Sequence, residues 1–384
     1  MKSLVINSGS SSIKFQVFEE EMSVISGICE EIGNNNSKIK IKIKEEKEEK
    51  NLPLSDHKRA LEEIIQILKS RNLFENFSCV IHRTVHGGEK FKQTTIVDEG
   101  VLLELKRLIP LAPLHNPANI QGIEIMKELM PSIPQIAVFD TSFHSTIPEE
   151  AYIYGVPYEW YSKYQVRRYG FHGTSHEYVI NETKKLLNKE NAKIICCHLG
   201  NGASICASID GKSIDTSMGM TPLEGNIMGT RSGTIDPGII EYMENIAHLS
   251  CKEITKILNK ESGIKGISGI TSDMRILEEN MNINPNAKRA MNIYLQRLTQ
   301  LIGSSIAVLG GVDAIVFTGG VGEHSPIVRK HIAEKLEFLG VEINKDSNEK
   351  NLTEITSPDS KVKFYVIPTN EELQMVRNAK KILN

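Results

Sequence analysis

No C-x-x-C pair occurs among the six cysteines Cys29, Cys79, Cys196, Cys197, Cys206 and Cys251. Neither a disulfide framework nor a paired-thiol site is indicated, and reduced, buried thiols acting as small hydrophobes are expected. Long apolar runs are also missing: nothing approaches the roughly 20 residues that cross a bilayer. The opening carries no signal-peptide pattern, because the apolar run Leu4-Val5-Ile6 gives way at once to Asn-Ser-Gly. A cytoplasmic protein with no membrane partner is therefore expected. Neither sign of charge dominates, with 45 basic and 48 acidic residues and a net charge of −3, so no nucleic-acid partner is expected. The strand KIKIKIK (Lys38 to Lys44) and the EEKEEK after it read as a protected edge, not as a polyanion site. Signature motifs are absent too. The P-loop order G-x-x-x-x-G-K-[ST] is not met near the N-terminus, the glycine-rich turns lack G-x-G-x-x-G, and G-x-S-x-G does not occur. A Ser/His hydrolase is correspondingly weak.

What is present begins with length. A chain of 384 residues exceeds one ordinary core and predicts two domains. The composition, 40% hydrophobic and 24% charged, is that of a globular protein. Strands are predicted at Leu4-Val5-Ile6, at Ile13 to Val17, at Cys79 to Ile81 and at Gln135 to Phe139. A helix is predicted over His57 to Lys69 with Ser55 as N-cap, and another around Asn119 to Leu129. Near the middle the opening pattern returns. The apolar strand Lys193 to His198, the turn Leu199 to Ser204 and the strand Ile205 to Ile209 echo Leu4 to Val17, and Asp210-Gly211 turns into a further strand at Lys212 to Asp215. Two β-turn-β units, one per half, predict a duplicated α/β architecture. Helices at Glu177 to Leu187, Glu253 to Leu258 and Ala287 to Leu309 follow, with a strand at Asp313 to Phe317 and a helix after Pro326.

The opening loop, NSGSSSIK, leads into a strand, so alternation puts Ser12, Lys14 and Gln16 on one face and Ile13, Phe15 and Val17 on the other. Ser12 and Lys14 project together, beside a turn whose Gly9 would let backbone N–H groups approach an anion. Asn7, where strand becomes turn, suits a hydrated Mg²⁺ ion. HLGNGAS (His198 to Ser204) and TGGVGE (Thr318 to Glu323) are glycine-rich turns after buried strands, and their recurrence favours nucleotide or phosphate binding. Arg83 in HRTVHGG and Arg231 in GTRSG lie among small residues and offer a planar donor fork to carboxylate or phosphoryl oxygens. The spacings His82/His86 and His172/His176 could serve a metal only on a helix, and His172, in RYGFHGTSH, reads better as a donor to developing negative charge. Asp140 ends a buried strand, and Glu371 stands at the turn before the last helix. Both positions suit a carboxylate facing a crevice.

Taken in order, NSGSSSIK, HRTVHGGE, APLHNP, FDTSFH, RYGFHGTSH, HLGNGAS, GTRSG, SDMR, TGGVGE and PTNEEL resemble the acetate kinase family, of the acetate and sugar kinase/actin-like superfamily, from end to end. The resemblance implies two actin-like, ribonuclease H-like domains, each a mixed sheet flanked by helices, with the active site in a cleft between them. It places the acyl and metal side in residues 1–145 with 370–384, and the nucleotide side in 146–369. It implies ATP and ADP as substrates, Mg²⁺ (or Mn²⁺ in its stead), and reversible phosphoryl transfer to acetate giving acetyl phosphate. Asn7 and Glu371 resemble the metal sites, and Lys14, Ser10 and Ser12 the phosphate contacts. Arg83 is similar to the acetate-binding arginine, His172 and Arg231 to the transition-state donors, and Asp140 to the acid/base. Val85, Leu114, Phe171 and Pro222 match the acyl pocket. His198, Leu199, Gly200, Asn201, Gly202, Asp273, Met274, Arg275, Gly320, Val321, Gly322, Glu323 and His324 match the ATP site. A homodimer is implied as well. Thr234 and His324 depart from the residues common in the family.

Acetate is already ionised at neutral pH, so Asp140 is expected to orient an arginine or the hydrated metal, not to remove a proton. Closure on nucleotide is expected, to exclude water. The nearest alternative is a propionate or other short-chain acyl kinase, since one methylene changes binding by only ~1–3 kcal/mol; butyrate kinase is more distant. From another class, a non-catalytic ATP-binding scaffold would need neither Arg83, His172 nor Arg231.

Overall fold

The computed structural model describes residues 1–383, which divide into two compact units: Met1–Phe143 joined by the segment from Asn370 onward, and His144–Thr369. The first unit carries eight strands: β1 (Lys2–Ser8), β2 (Ile13–Glu19), β3 (Met22–Glu30), β4 (Lys38–Ile43), β5 (Glu46–Asn51), β6 (Cys79–Thr84), β7 (Thr95–Ile96) and β8 (Gln135–Phe139). Their order is β5-β4-β3-β2-β1-β6-β8-β7. β1 runs antiparallel to β2 and parallel to β6, and β6 runs parallel to β8. Strands in such a position are buried on both faces and read as continuous apolar runs. Leu4 and Ile6 face Phe15, Val17 and the helix His57–Ser70. Val5, Phe18, Ile81 and Val138 instead meet Met375, Val376 and Ala379 of the last helix, Glu371–Leu383.

Local capping shifts several predicted boundaries. Asp56, not Ser55, caps the first helix: its carboxylate accepts from the Arg59 N–H, and Ser55 Oγ donates to Asp56. The helix predicted from Asn119 starts at Asn116, with Pro117 in its first turn. EEKEEK forms most of an edge strand, β5, against KIKIKI. The strand β3 has no counterpart in the sequence reading. Its register against β2 shifts at Val17/Phe18; Phe18 lies on the face opposite Val17, as strand alternation requires, and is buried there.

The second unit carries β9 (Lys193–Leu199), β10 (Ala203–Ile209), β11 (Lys212–Thr216), β12 (Ala314–Thr318) and β13 (Lys363–Val366), in the order β11-β10-β9-β12-β13. β9 is antiparallel to β10 and parallel to β12, which is parallel to β13. The order and directions repeat those of β3-β2-β1-β6-β8, so the two-fold echo in the sequence corresponds to one topology built twice. The helices Gly173–Leu187 and Pro285–Leu309 pack on β9. Five cysteines are buried, Cys251 is exposed, and all six are free. Among the described residues no helix is long and apolar enough to cross a membrane.

Candidate active site

In the first unit the candidate residues gather at the carboxyl ends of β1, β6 and β8. The β1–β2 turn is closed by the Gly9 N–H, which donates to the Ser12 carbonyl at 2.8 Å. That amide is spent inside the turn, so any anion there would meet the turn's other N–H groups. Asn7 and Lys14 are cross-strand partners in the ladder, and Ser10 and Lys14 are exposed. The His57 ring nitrogen Nε2 lies 2.6 Å from the Gly9 carbonyl oxygen and holds the turn from below.

Arg83 and Asp140 are 57 residues apart but sit at the ends of adjacent parallel strands. Arg83 donates from Nε to Asp140 Oδ1 at 3.1 Å and from Nη2 to Oδ2 at 2.6 Å. This two-pronged pair fixes the plane of the guanidinium. Asp140 is buried, while the Arg83 side chain keeps 25% of its surface exposed, enough to meet a ligand. Glu371 is the first residue of the last helix, inside it and not in a preceding turn, with Oε2 3.9 Å from Arg83 Nε. Burial pushes its carboxyl up to about 7; Arg83 opposes the shift, and Asp140 and Glu372 reinforce it.

Two residues that the sequence reading passed over hold this end together. Asn119 donates to the Ser8 carbonyl and accepts from the Val85 N–H, while Asn116 both accepts from and donates to the His86 backbone. Both are buried on the helix Asn116–Leu129. The signal was available: H-N-P-A-N places two amides on the face that otherwise carries Ile120 and Ile123. A Cβ on Gly122 would stand 2.9 Å from Ser8 Cβ, so only glycine lets this helix approach β1 so closely. Val85 is buried and Leu114 is 65% exposed. His82 and His86 are buried, and desolvation pushes both down to about 4, keeping them neutral. His82 is in a strand and makes its contact with Gln135.

The second unit gathers its candidates around β9 and β12. His172 is the N-cap of Gly173–Leu187 in the left-handed region, at φ 57°, an uncommon conformation for a residue with a side chain. Its ring stacks on His198 at 4.2 Å between centroids. Arg231 donates from Nη1 to the Pro222 carbonyl at 2.9 Å. A Cβ placed on Gly202 would lie 3.4 Å from His172 Nε2 and 3.5 Å from Arg231 Nη1. Both donors therefore flank the same point of the HLGNGAS turn. Thr234 ties the Arg231 loop shut: its N–H donates to the Gly225 carbonyl and its Oγ1 accepts from the Gly225 N–H. Phe171 precedes His172, and its carbonyl accepts from His144 Nε2.

A pocket of about 490 Å³ opens between the ends of β9 and β12, lined by Gly200, Asn201, Asp273, Met274, Arg275, Gly320, Val321 and His324. This volume is ordinary for a small-molecule site. His198, Leu199, Gly202, Gly322 and Glu323 do not line it. The run TGGVGE, read as a turn, is helical from Gly319 to His324. The Gly319 N–H donates to Glu323 Oε1 at 2.9 Å, which caps the turn internally. Asp273 accepts from the Arg275 backbone and forms a two-pronged pair with its side chain. Met228, Ile264, Glu278 and Tyr294 also line the pocket and were missed, because in sequence they look like ordinary helix and loop positions. Burial pushes the Glu278 carboxyl up, and it accepts from Ser325 Oγ.

The profile of the Acetokinase family matches residues 2–377. The acetate kinase of Dictyoglomus thermophilum is 49% identical over 396 residues, covering 100% of this chain and 99% of that protein. That of Thermotoga maritima is 48% identical over 398 residues, covering 100% and 99%. Among solved structures, a propionate kinase from Francisella tularensis superposes with a TM-score of 0.94 at 42% identity, covering 98% of each chain. The acetate kinase of Porphyromonas gingivalis gives 0.94 at 40% identity, covering 100% of each.

Proposed function

We propose, from the premise that the chain belongs to the acetokinase family, that it transfers the γ-phosphoryl group of ATP to acetate reversibly, giving acetyl phosphate and ADP by direct in-line transfer. One observation carries the reading. His172 Nε2 and Arg231 Nη1 flank a single point above Gly202, an arrangement of donors that plain nucleotide binding does not require. Phosphoryl transfer asks little covalent work of the protein and much charge stabilisation. Arg83, held flat by Asp140, would bind the acetate carboxylate through its remaining donors. Lys14 and the Ser10–Ser12 turn would hold phosphate oxygens, and His172 and Arg231 would donate to the equatorial oxygens as charge builds on them. The adenine nucleotide would occupy the pocket at Asn201, Asp273 and Gly320. Val85 and Leu114 of the first unit, and Phe171 and Pro222 of the second, are the proposed acyl contacts.

Asn7 and Glu371 would hold a divalent ion, Mg²⁺ or in its place Mn²⁺. The donor set fits. Among the described residues no three or more His, Cys, Asp or Glu side chains form a metal cluster, and a hydrated Mg²⁺ ion carried mainly by phosphates needs only one or two protein oxygens. A desolvated Glu371 next to Asp140 is a place where added positive charge is favourable. When bound, the ion neutralises phosphate charge. The proton on Glu371 competes with it. Because this carboxyl sits near 7, the metal concentration giving half-maximal rate is expected to rise about tenfold from pH 8 to pH 6. Glu371→Gln, which cannot titrate, should flatten that dependence relative to the parent; an equally steep profile in both would remove Glu371 from the metal site.

Partner and location follow from the same reading. A homodimer is supported by Ile239, Tyr242 and Ile246, which expose an apolar stripe along the helix Gly238–Ala247. We place the enzyme in the cytoplasm. The deciding experiment measures acyl phosphate formed from ATP and Mg²⁺ with acetate, propionate or butyrate. Acetate is expected to give the highest kcat/KM. A preference for propionate would move the assignment to that acid, and no product from any would leave a scaffold.

A further inference from the structure

His172 can act as a neutral hydrogen-bond donor only if its single ring proton is on the nitrogen that faces the phosphoryl group. The side chains around it determine where that proton sits. His172 Nδ1 lies 2.9 Å from Ser204 Oγ, and the same hydroxyl lies 2.7 Å from His176 Nε2. One serine therefore bridges two imidazoles, and it has one proton to give.

His176 is fully buried, and desolvation holds it neutral, so it too carries one ring proton. Its Nδ1 has no hydrogen-bond partner. A proton there would leave a buried, unpaired N–H, at a cost of about 1–3 kcal/mol, and orphaned N–H groups are rarer in proteins than bare acceptors. The proton of His176 accordingly belongs on Nε2, where it is donated to Ser204. Ser204 is fully buried, and its Oγ meets only these two ring nitrogens. A second lone pair could accept from His172, but the hydroxyl proton would then be left unpaired, so Ser204 turns that proton toward His172 Nδ1. Neutral His172 then has its proton on Nε2. Nearby, His144 contributes nothing to this chain, since its two nitrogens meet Ser213 Oγ and the Phe171 carbonyl.

We propose that Ser204 and His176 are positioning residues that lock His172 in its Nε2–H tautomer, so that this ring presents a donor to the phosphoryl group in transit. The inference rests on the reading of His172 as that donor and concerns only what fixes its proton.

The test is ring ¹⁵N NMR of the full chain at neutral pH without substrates, with His172 assigned by comparison with His172→Gln. The parent is expected to show the Nε2–H tautomer. Ser204→Ala should give a mixture of tautomers and a kcat lower by on the order of tenfold, with KM for ATP and acetate within about twofold of the parent. Ser204→Thr, which restores the hydroxyl, should recover both tautomer and rate. An Nδ1–H tautomer in the parent overturns the proposal without any variant. So does a Ser204→Ala protein whose tautomer and kcat are unchanged. Full turnover by His172→Ala would instead overturn the donor reading beneath it.

Discussion

Replacing Arg231 with alanine is expected to lower kcat by about 10²–10³ and to change KM for ATP by no more than about threefold. The guanidinium is half-buried, lies on a loop closed by the Gly225–Thr234 bonds, and anchors through Nη1 to the Pro222 carbonyl. Burial also disfavours its charge somewhat, so the protein holds a cation where water solvates it poorly. Such a group is preorganised for negative charge that appears only at the transition state, and an interaction made only there shows in kcat. Steady-state kinetics with ATP and acetate varied in turn would check it. An unchanged kcat, or a loss confined to KM, would remove Arg231 from the transferring group.

The second large effect is expected at Asp140. Asp140→Asn keeps the shape but removes the charge that holds the Arg83 fork in plane. A misplacement of about 1 Å in a substrate-positioning group can cost 10²-fold, so kcat/KM for acetate should fall by about that factor and stay low at saturating metal. Its pH profile should keep both limbs at reduced height, with the Glu371 limb moved to lower pH because the Asp140 charge no longer reinforces that shift. A proton-transfer role would instead remove one limb of the profile, and recovery at high metal would place Asp140 on the ion and not on Arg83.

Legibility in the sequence followed the range of the interactions involved. The β1–β2 and β9–β10 hairpins could be read because their turns and alternation are local, and their repetition announced one topology used twice. Arg83 and Asp140 could each be picked out as chemically loaded, yet their pairing depends on β6 and β8 lying side by side, which no local pattern states. β3 escaped because Gly27 and the register shift at Val17/Phe18 interrupt its periodicity. Ser55 and Asp56 are both good caps, and only geometry decides between neighbours. Asn116 and Asn119 were visible as residues but not as staples for the ends of β1 and β6. Ser204 was read as part of a turn, since a hydroxyl that governs another side chain's proton looks in sequence like any serine.

The last helix has a consequence for how the chain is made. Residues 1–143 leave the ribosome first, but one face of their sheet, including Val5, Ile81 and Val138, is covered by Met375, Val376 and Ala379. The unit His144–Thr369 is contiguous and is complete before that cover exists. The N-terminal domain of a growing chain usually settles first; here its sheet is sealed only after the second unit has been made. For most of its synthesis the nascent protein carries an unsealed hydrophobic sheet face, and sealing it is the same event that brings Glu371 beside Arg83. Docking of this helix and assembly of the acyl half of the site are a single step.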